Sequence, residues 1–301
     1  MNQVIAQLRR EYWENPGHLF KVPFWLALII ILFSVVSMHS LFQHADVSMN
    51  VDVELDLPWK KDVEIKGQGG GESILDKLAH VQYIIYLIFT VVALINMVSY
   101  SLAALLTDRQ DRSVLFFKSM PVSEWLVVAT KLFVAVLAIP LMYWLAALFT
   151  TLVFSTLTVA LGTTSLSLDA FSLWSAMDAM AVGATSFVYL LLAALWGLPL
   201  YSMLLLFSAW SKKHPLGNLL LLILLVWFIE NLLLGQSYLL SGLGDYLEGF
   251  ALQSLDGPSG QDNFSAAVLE LFTRPGLYLG WLVAALSLTA AVYLRNRRFE
   301  I

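Results

Sequence analysis

Apolar residues run on for roughly 20 positions, the length that crosses a hydrocarbon core about 30 Å thick, in six places along the chain. These runs fall near 23–42, 81–106, 125–157, 176–210, 217–234 and 275–294. The third and fourth exceed a single crossing. Pro140 and Pro199 within them predict kinks, because proline lacks a backbone donor and its ring crowds the preceding turn. The first run is longer than a signal-peptide core and has no small-residue cleavage site after it, so it is expected to be retained as a span. The expected fold class is an all-α polytopic membrane protein: a cytoplasmic amphipathic helix and linker over 1–22, then a six-span transmembrane domain over 23–301.

Between the runs the pattern changes character. Val4, Ile5, Leu8 and Tyr12 recur at helical spacing, with Arg9, Arg10, Glu11 and Glu14 off that face, and Asn15-Pro16-Gly17 ends the segment. That pattern predicts an interfacial helix, read either as a membrane anchor or as a contact for a partner. In the exterior loop 43–80, Val51, Val53, Leu55 and Leu57 alternate with polar residues and Val63 and Ile65 resume the alternation, which predicts a small β-hairpin turning near Pro58–Lys61. The exterior segment 235–274 is too long for a turn and shows patches of helical spacing, which predicts short helices dipping into the outer leaflet.

Composition agrees with this class. The chain is 59% hydrophobic and 13% charged, with a mean hydropathy of +0.75, values far from those of a soluble domain. Lys and Arg set the orientation. Twelve of the 17 lie in the N-terminal arm, the 107–124 loop with Lys131, the 211–216 turn and the C-terminal tail; five lie on the alternate side. Both termini are therefore expected in the cytoplasm. The net charge of −5 gives no basic track for nucleic acid, and the absence of cysteine excludes disulfides and thiolate chemistry.

Candidate chemistry is sparse. The five histidines are scattered, with no HExxH pattern, so no metal site is expected; GQGGGES lacks the Lys-Ser/Thr ending of a phosphate loop; and no GxSxG elbow occurs. No catalytic residue is expected. Within the spans, Lys131 lies two turns into the third and is expected to snorkel to the cytoplasm. Asn96 is read as an interhelical hydrogen-bonding residue. Glu230 approaches the outer end of the fifth, where it either meets headgroups or a neighbouring helix or serves as an outer gate or path residue.

A dense cluster of charges between two long apolar runs is TDRQDRSVLFFKSMPVSEW, residues 107–125. Thr107 or Asp108 is expected to cap a short helix, Asp108 to pair with Arg112 at i,i+4, and Pro121 to stop the helix; Ser123 and Glu124 then cap the third span. Val114, Phe117 and Met120 form an apolar edge that suits a docking partner.

The run DRQDRSVLFFKSMPVSEWLVVATKL, residues 108–132, resembles the loop after the second span of ABC-2 type permeases, the membrane subunits of ATP-binding-cassette exporters. The order of elements is similar along the whole chain, although the acidic first exterior loop is larger than in many members. The resemblance implies that two permease chains, as a homodimer or heterodimer, enclose a path in the lipid bilayer of a bacterial plasma (inner) membrane and bind two copies of a cytoplasmic ABC ATPase. ATP and Mg would be bound by that partner, since this chain has no Walker A sequence and no cofactor of its own. On this resemblance the 107–124 loop is the coupling element, with Phe116, Phe117 and Met120 as its apolar contact and Asp108, Arg109, Asp111, Arg112 and Lys118 as polar contacts. The N-terminal helix would be a second contact.

Overall fold

The computed structural model describes residues 3–44, 74–110, 123–166, 170, 171, 174, 179–211, 213–239, 241–246 and 271–297. Six helical stretches among them are long and apolar enough to cross a membrane: Gly17–Ser37, Val81–Gln110, Glu124–Thr164, Val182–Trp210, Pro215–Leu234 and Pro275–Asn296. This is a multi-pass membrane protein. In chain order the helices are α1 (Gln3–Glu14), α2 (Val22–His44), α3 (Ile74–Gln110), α4 (Glu124–Phe133), α5 (Ile139–Leu166), α6 (Ala179–Trp210), α7 (Pro215–Leu234) and α8 (Pro275–Arg297).

All six expected spans are present, and two are longer than the apolar pattern suggested. Helix α3 starts at Ile74 and runs to Gln110, with no glycine or proline in either extension, and the third span continues through Gly162 to Leu166. The expected hairpin over 51–66 lies outside the described residues; among those described there is no strand. Residues 241–246 are helical, in line with the short exterior helices expected before the last span.

Both prolines sit where the helix makes room for them. Ahead of Pro140 the chain takes a π-helical turn, Val134–Ala138, and the Ile139 N–H bonds back to Val134 O. The wider turn absorbs the carbonyl that the proline ring would otherwise strike. Pro199 lies inside α6, where the Ser202 hydroxyl donates to its carbonyl at 2.8 Å. A second π-helical turn, Gly17–Lys21, leads into α2.

The contacts divide the chain into two units, residues 1–16, 94–140 and 189–301, and residues 17–93 and 141–188. The second unit packs α2 with the first part of α3, most of α5 and the start of α6. Its helices meet through small and hydroxyl-bearing residues: Trp144 Nε1 donates to Gly183 O at 3.0 Å, and the Trp144 and Phe187 rings lie 4.6 Å apart. With no hydrophobic driving force between helices in lipid, close packing and such hydrogen bonds supply the association.

In the first unit, α6 and α8 clamp Tyr246. Its ring stacks on Trp196 at 4.7 Å, its hydroxyl donates to Trp196 O at 2.7 Å, and Trp196 Nε1 donates to Tyr246 O at 2.9 Å. Burial pushes the Tyr246 hydroxyl up to about 12, so it remains a donor at physiological pH. Gly280 makes the clamp possible: a Cβ there would stand 2.6 Å from the Tyr246 hydroxyl and 3.2 Å from Pro199 Cγ. Gly280→Ala is therefore expected to break the bond to Trp196 O and to destabilise the protein by about 1–3 kcal/mol, the usual range for overpacking. Thermal unfolding in detergent checks this, and Tyr246→Phe in the Gly280→Ala background should recover part of the loss by removing the clashing oxygen.

Candidate functional site

Helix α1 is amphipathic, but it turns its polar side to the protein. Gln7 and Glu11 are buried, whereas Val4, Ile5, Tyr12 and Trp13 are exposed. A helix in water would be inverted relative to this; one lying at a bilayer surface with its apolar side in the headgroup boundary would not. What draws the polar side inward is a counter-charge.

That counter-charge is Lys131, on α4. It is 1% exposed, with its Nζ 2.8 Å from Glu11 Oε1 and 3.1 Å from Asp108 Oδ1. The expectation that Lys131 snorkels to the cytoplasm is corrected: two carboxylates beside it hold the ammonium inside. Glu11 is equally buried, and its second oxygen accepts from the Tyr100 hydroxyl at 2.7 Å and from Asn15 Nδ2 at 3.3 Å. Each oxygen of Glu11 thus has a donor, the condition under which a buried charge is tolerated.

Asp108 is the hub. It occupies the last turn of α3, and its Oδ2 accepts from Arg295 Nη1 at 3.1 Å while Oδ1 meets both Lys131 and, at 3.5 Å, Arg10 Nη2. Arg295 reaches back from the final turns of α8 and sets its Nε 2.5 Å from Glu124 Oε2, a close charge contact without hydrogen-bond alignment. Glu124 opens α4, where Ser123 Oγ accepts from Leu126 N at 3.3 Å as the expected N-cap. Arg10 also pairs with Glu14 one turn on. The carboxylates of Glu11, Asp108 and Glu124 and the cations Arg10, Lys131 and Arg295 therefore balance, and they join α1, the end of α3, the start of α4 and the end of α8.

The expectation that Thr107 or Asp108 begins a new helix is also corrected. Helix α3 simply continues: the Thr107 hydroxyl donates to Ala103 O at 2.9 Å, the back-bond of a residue inside a helix. Arg109 turns the other way, and its Nη2 donates to the Ser208 and Ser211 carbonyls, the latter at 2.8 Å. Those carbonyls belong to the end of α6, where the helix has no internal donors left. The contact is reciprocal, since Ser208 Oγ accepts from the Leu105 and Leu106 N–H groups at 3.2 and 3.1 Å. Asn218 Nδ2, at the start of α7, donates to Ser211 Oγ at 2.9 Å.

Asp111, Arg112, Phe116, Phe117, Lys118 and Met120 lie outside the described residues. Of the expected coupling residues, Asp108 and Arg109 are placed, both facing inward. Sequence reasoning missed the partners Glu11, Tyr100, Glu124 and Arg295; the available signal was Lys131, an unaccompanied charge inside an apolar helix that required a carboxylate from elsewhere in the chain.

Glu230 is separate from this cluster. It is buried, and its Oε1 accepts from the backbone N–H of Leu239 at 2.8 Å, just after Gly235 closes α7 in the left-handed conformation with φ 68°. Its carboxylate therefore fastens the turn that follows α7. Among the described residues no group of three or more His, Asp or Glu side chains is arranged to hold a metal ion. No family model, curated protein or solved structure matches the chain.

Removing one member of the cluster leaves its neighbours buried without compensation. Lys131→Met is expected to destabilise the protein by about 3–5 kcal/mol, the usual cost of breaking a buried pair. Adding Glu11→Gln restores the charge balance and should recover a substantial part of that loss, as read from denaturant or thermal unfolding in detergent. A double variant as unstable as the sum of its parts would show that the two charges are not coupled.

Proposed function

We propose that this chain is the permease subunit of an ABC-2 type exporter in the plasma membrane of a bacterium, with both termini in the cytoplasm. It would move a lipid, peptide or hydrophobic drug-like cargo with ATP hydrolysed by a separate cytoplasmic subunit. The observation that carries this reading is the position of Asp108. It belongs to the 107–124 segment that the resemblance assigns to the ATPase, and it is bonded to cations from α1, α4 and α8. A push on the loop would therefore be felt at once by the N-terminal helix and by the ends of three spans, which is what a coupling element requires. The spans support the reading in a second way. Away from Lys21, Asp108, Arg109, Glu124, Lys131 and Arg295 near their ends, the six apolar helical stretches carry no Asp, Glu, Lys or Arg except Glu230, and a proton- or sodium-coupled carrier ordinarily holds titratable or ion-coordinating groups near the midplane.

On this reading Phe116, Phe117 and Met120 meet the ATPase, and a second permease chain completes the path. Expression with the neighbouring genes should bring down a nucleotide-binding subunit with this chain. Purification without one would favour a secondary carrier or channel. Phe117→Asp and Arg112→Glu should each abolish the stimulation of ATP hydrolysis by cargo while thermal unfolding of the membrane chain is unchanged. Full stimulation and intact subunit association in both variants would contradict the assignment of the loop.

A further inference from the structure

A second polar feature lies in the other unit. Gln82 and Tyr86 stand one turn apart on α3. Facing them are Thr151 and Ser155, one turn apart on α5, with Ser186 on α6. Gln82 is 1% exposed, and its Nε2 donates to Ser155 Oγ at 2.9 Å. The Ser155 proton is itself directed to Thr151 O at 2.9 Å, so this oxygen accepts from Gln82. The amide orientation follows from the network: nitrogen toward Ser155, oxygen away from it. Gln82 Oε1 is then a buried acceptor with no donor among the described residues.

The neighbouring hydroxyls repeat the pattern. Thr151 donates to Ala147 O at 2.9 Å, which leaves its oxygen as an acceptor, and Ser186 donates to Gly183 O at 2.8 Å while its oxygen accepts from Trp144 Nε1 at 3.3 Å. The Tyr86 hydroxyl lies beside Thr151 and Ser186 without completing an aligned bond to either. Gly183 lets the Tyr86 hydroxyl approach α6 closely, since a Cβ there would stand 3.1 Å from the Tyr86 oxygen and 2.8 Å from Leu148 Cδ1. The seam therefore offers several acceptors and one phenolic donor, with no carboxylate to favour a cation over a neutral molecule.

We infer that this seam between α3, α5 and α6 is a binding site for water. Water brings two donors, for the Gln82 amide oxygen and the Thr151 oxygen, and it accepts the Tyr86 proton. Without it, a buried amide oxygen would forfeit its hydrogen bond, at about 1–3 kcal/mol. A polar enclosure with two to four partners is where buried water is held. The inference is independent of any transport partner.

Hydroxyl-radical footprinting of the intact protein in detergent or nanodiscs tests it, because radicals made from bound water modify the side chains beside that water. Tyr86 and Tyr201 are both buried, at 7% and 3% exposed, but the Tyr201 hydroxyl faces the Met97 sulfur at 3.7 Å instead of a polar seam. Tyr86 should be modified several-fold faster than Tyr201. In Gln82→Leu, which removes the unpartnered acceptor, the Tyr86 rate should fall toward the Tyr201 rate, with the Tyr201 rate itself serving as the check that the fold is retained. Equal rates in the unmodified sequence would overturn the inference. An undiminished Tyr86 rate in Gln82→Leu would overturn the assignment of the site to Gln82.

Discussion

A lysine ammonium held between two carboxylates, out of reach of water, is the constraint around which one end of this protein is arranged. At separations of 2.8 and 3.1 Å, each contact of Lys131 is worth on the order of 5 kcal/mol of gross attraction at an effective dielectric of about 20. Desolvating each ion costs several kcal/mol in return, so the net contribution to stability is small. What the cluster provides is position. Lys131 has a low-energy place only when Glu11 and Asp108 are both present, Asp108 must also satisfy Arg295, and α1 can reach Glu11's site only with its polar side inward. The outward exposure of Val4, Ile5, Tyr12 and Trp13 follows from that geometry, and it suits a helix lying on the bilayer surface.

Elsewhere the protein uses weaker and more numerous contacts. Arg109 and Ser208 tie the end of α3 to the end of α6 by supplying donors and acceptors that the helix termini lack. Trp196 and Tyr246 exchange two hydrogen bonds across a stacked pair, which fixes the segment around Tyr246 between α6 and α8. Back-bonded serines and threonines let α3, α5 and α6 approach closely in the other unit. None of these depends on burial of apolar surface from water, which has little force between helices already in lipid. Ion pairs, backbone capping and hydroxyl contacts take its place.

The spans were legible in the sequence because a bilayer imposes one length and one composition on every helix that crosses it. Boundaries at α4, α7 and α8 fell within a few residues of expectation, where Ser123, Pro215 and Pro275 mark the starts. Helix α3 ran further than its apolar core because Thr107, Asp108 and Arg109 carry no helix-breaking chemistry, and their polarity had suggested a loop. The ion cluster was not legible. Its members are Arg10, Glu11, Asp108, Glu124, Lys131 and Arg295, separated by up to 285 positions in sequence, and no local pattern couples residues so far apart. The apolar spacing in α1 was recognised correctly, but the side that packs on the protein was the polar one, which only the location of Lys131 decides.

A joint between the ends of several helices has to be stiff and shared by all of them, and Asp108, bonded to cations from α1, α4 and α8, has both properties. Amide hydrogen exchange on the Asp108→Asn variant tests that claim most directly, by mass spectrometry of the full-length protein in nanodiscs. If Asp108 holds the joint together, exchange should rise in residues 3–14 of α1 and in 289–297 of α8, while residues 141–160 of α5 keep their protection. Unchanged protection of α1 and α8 in the variant would contradict the account.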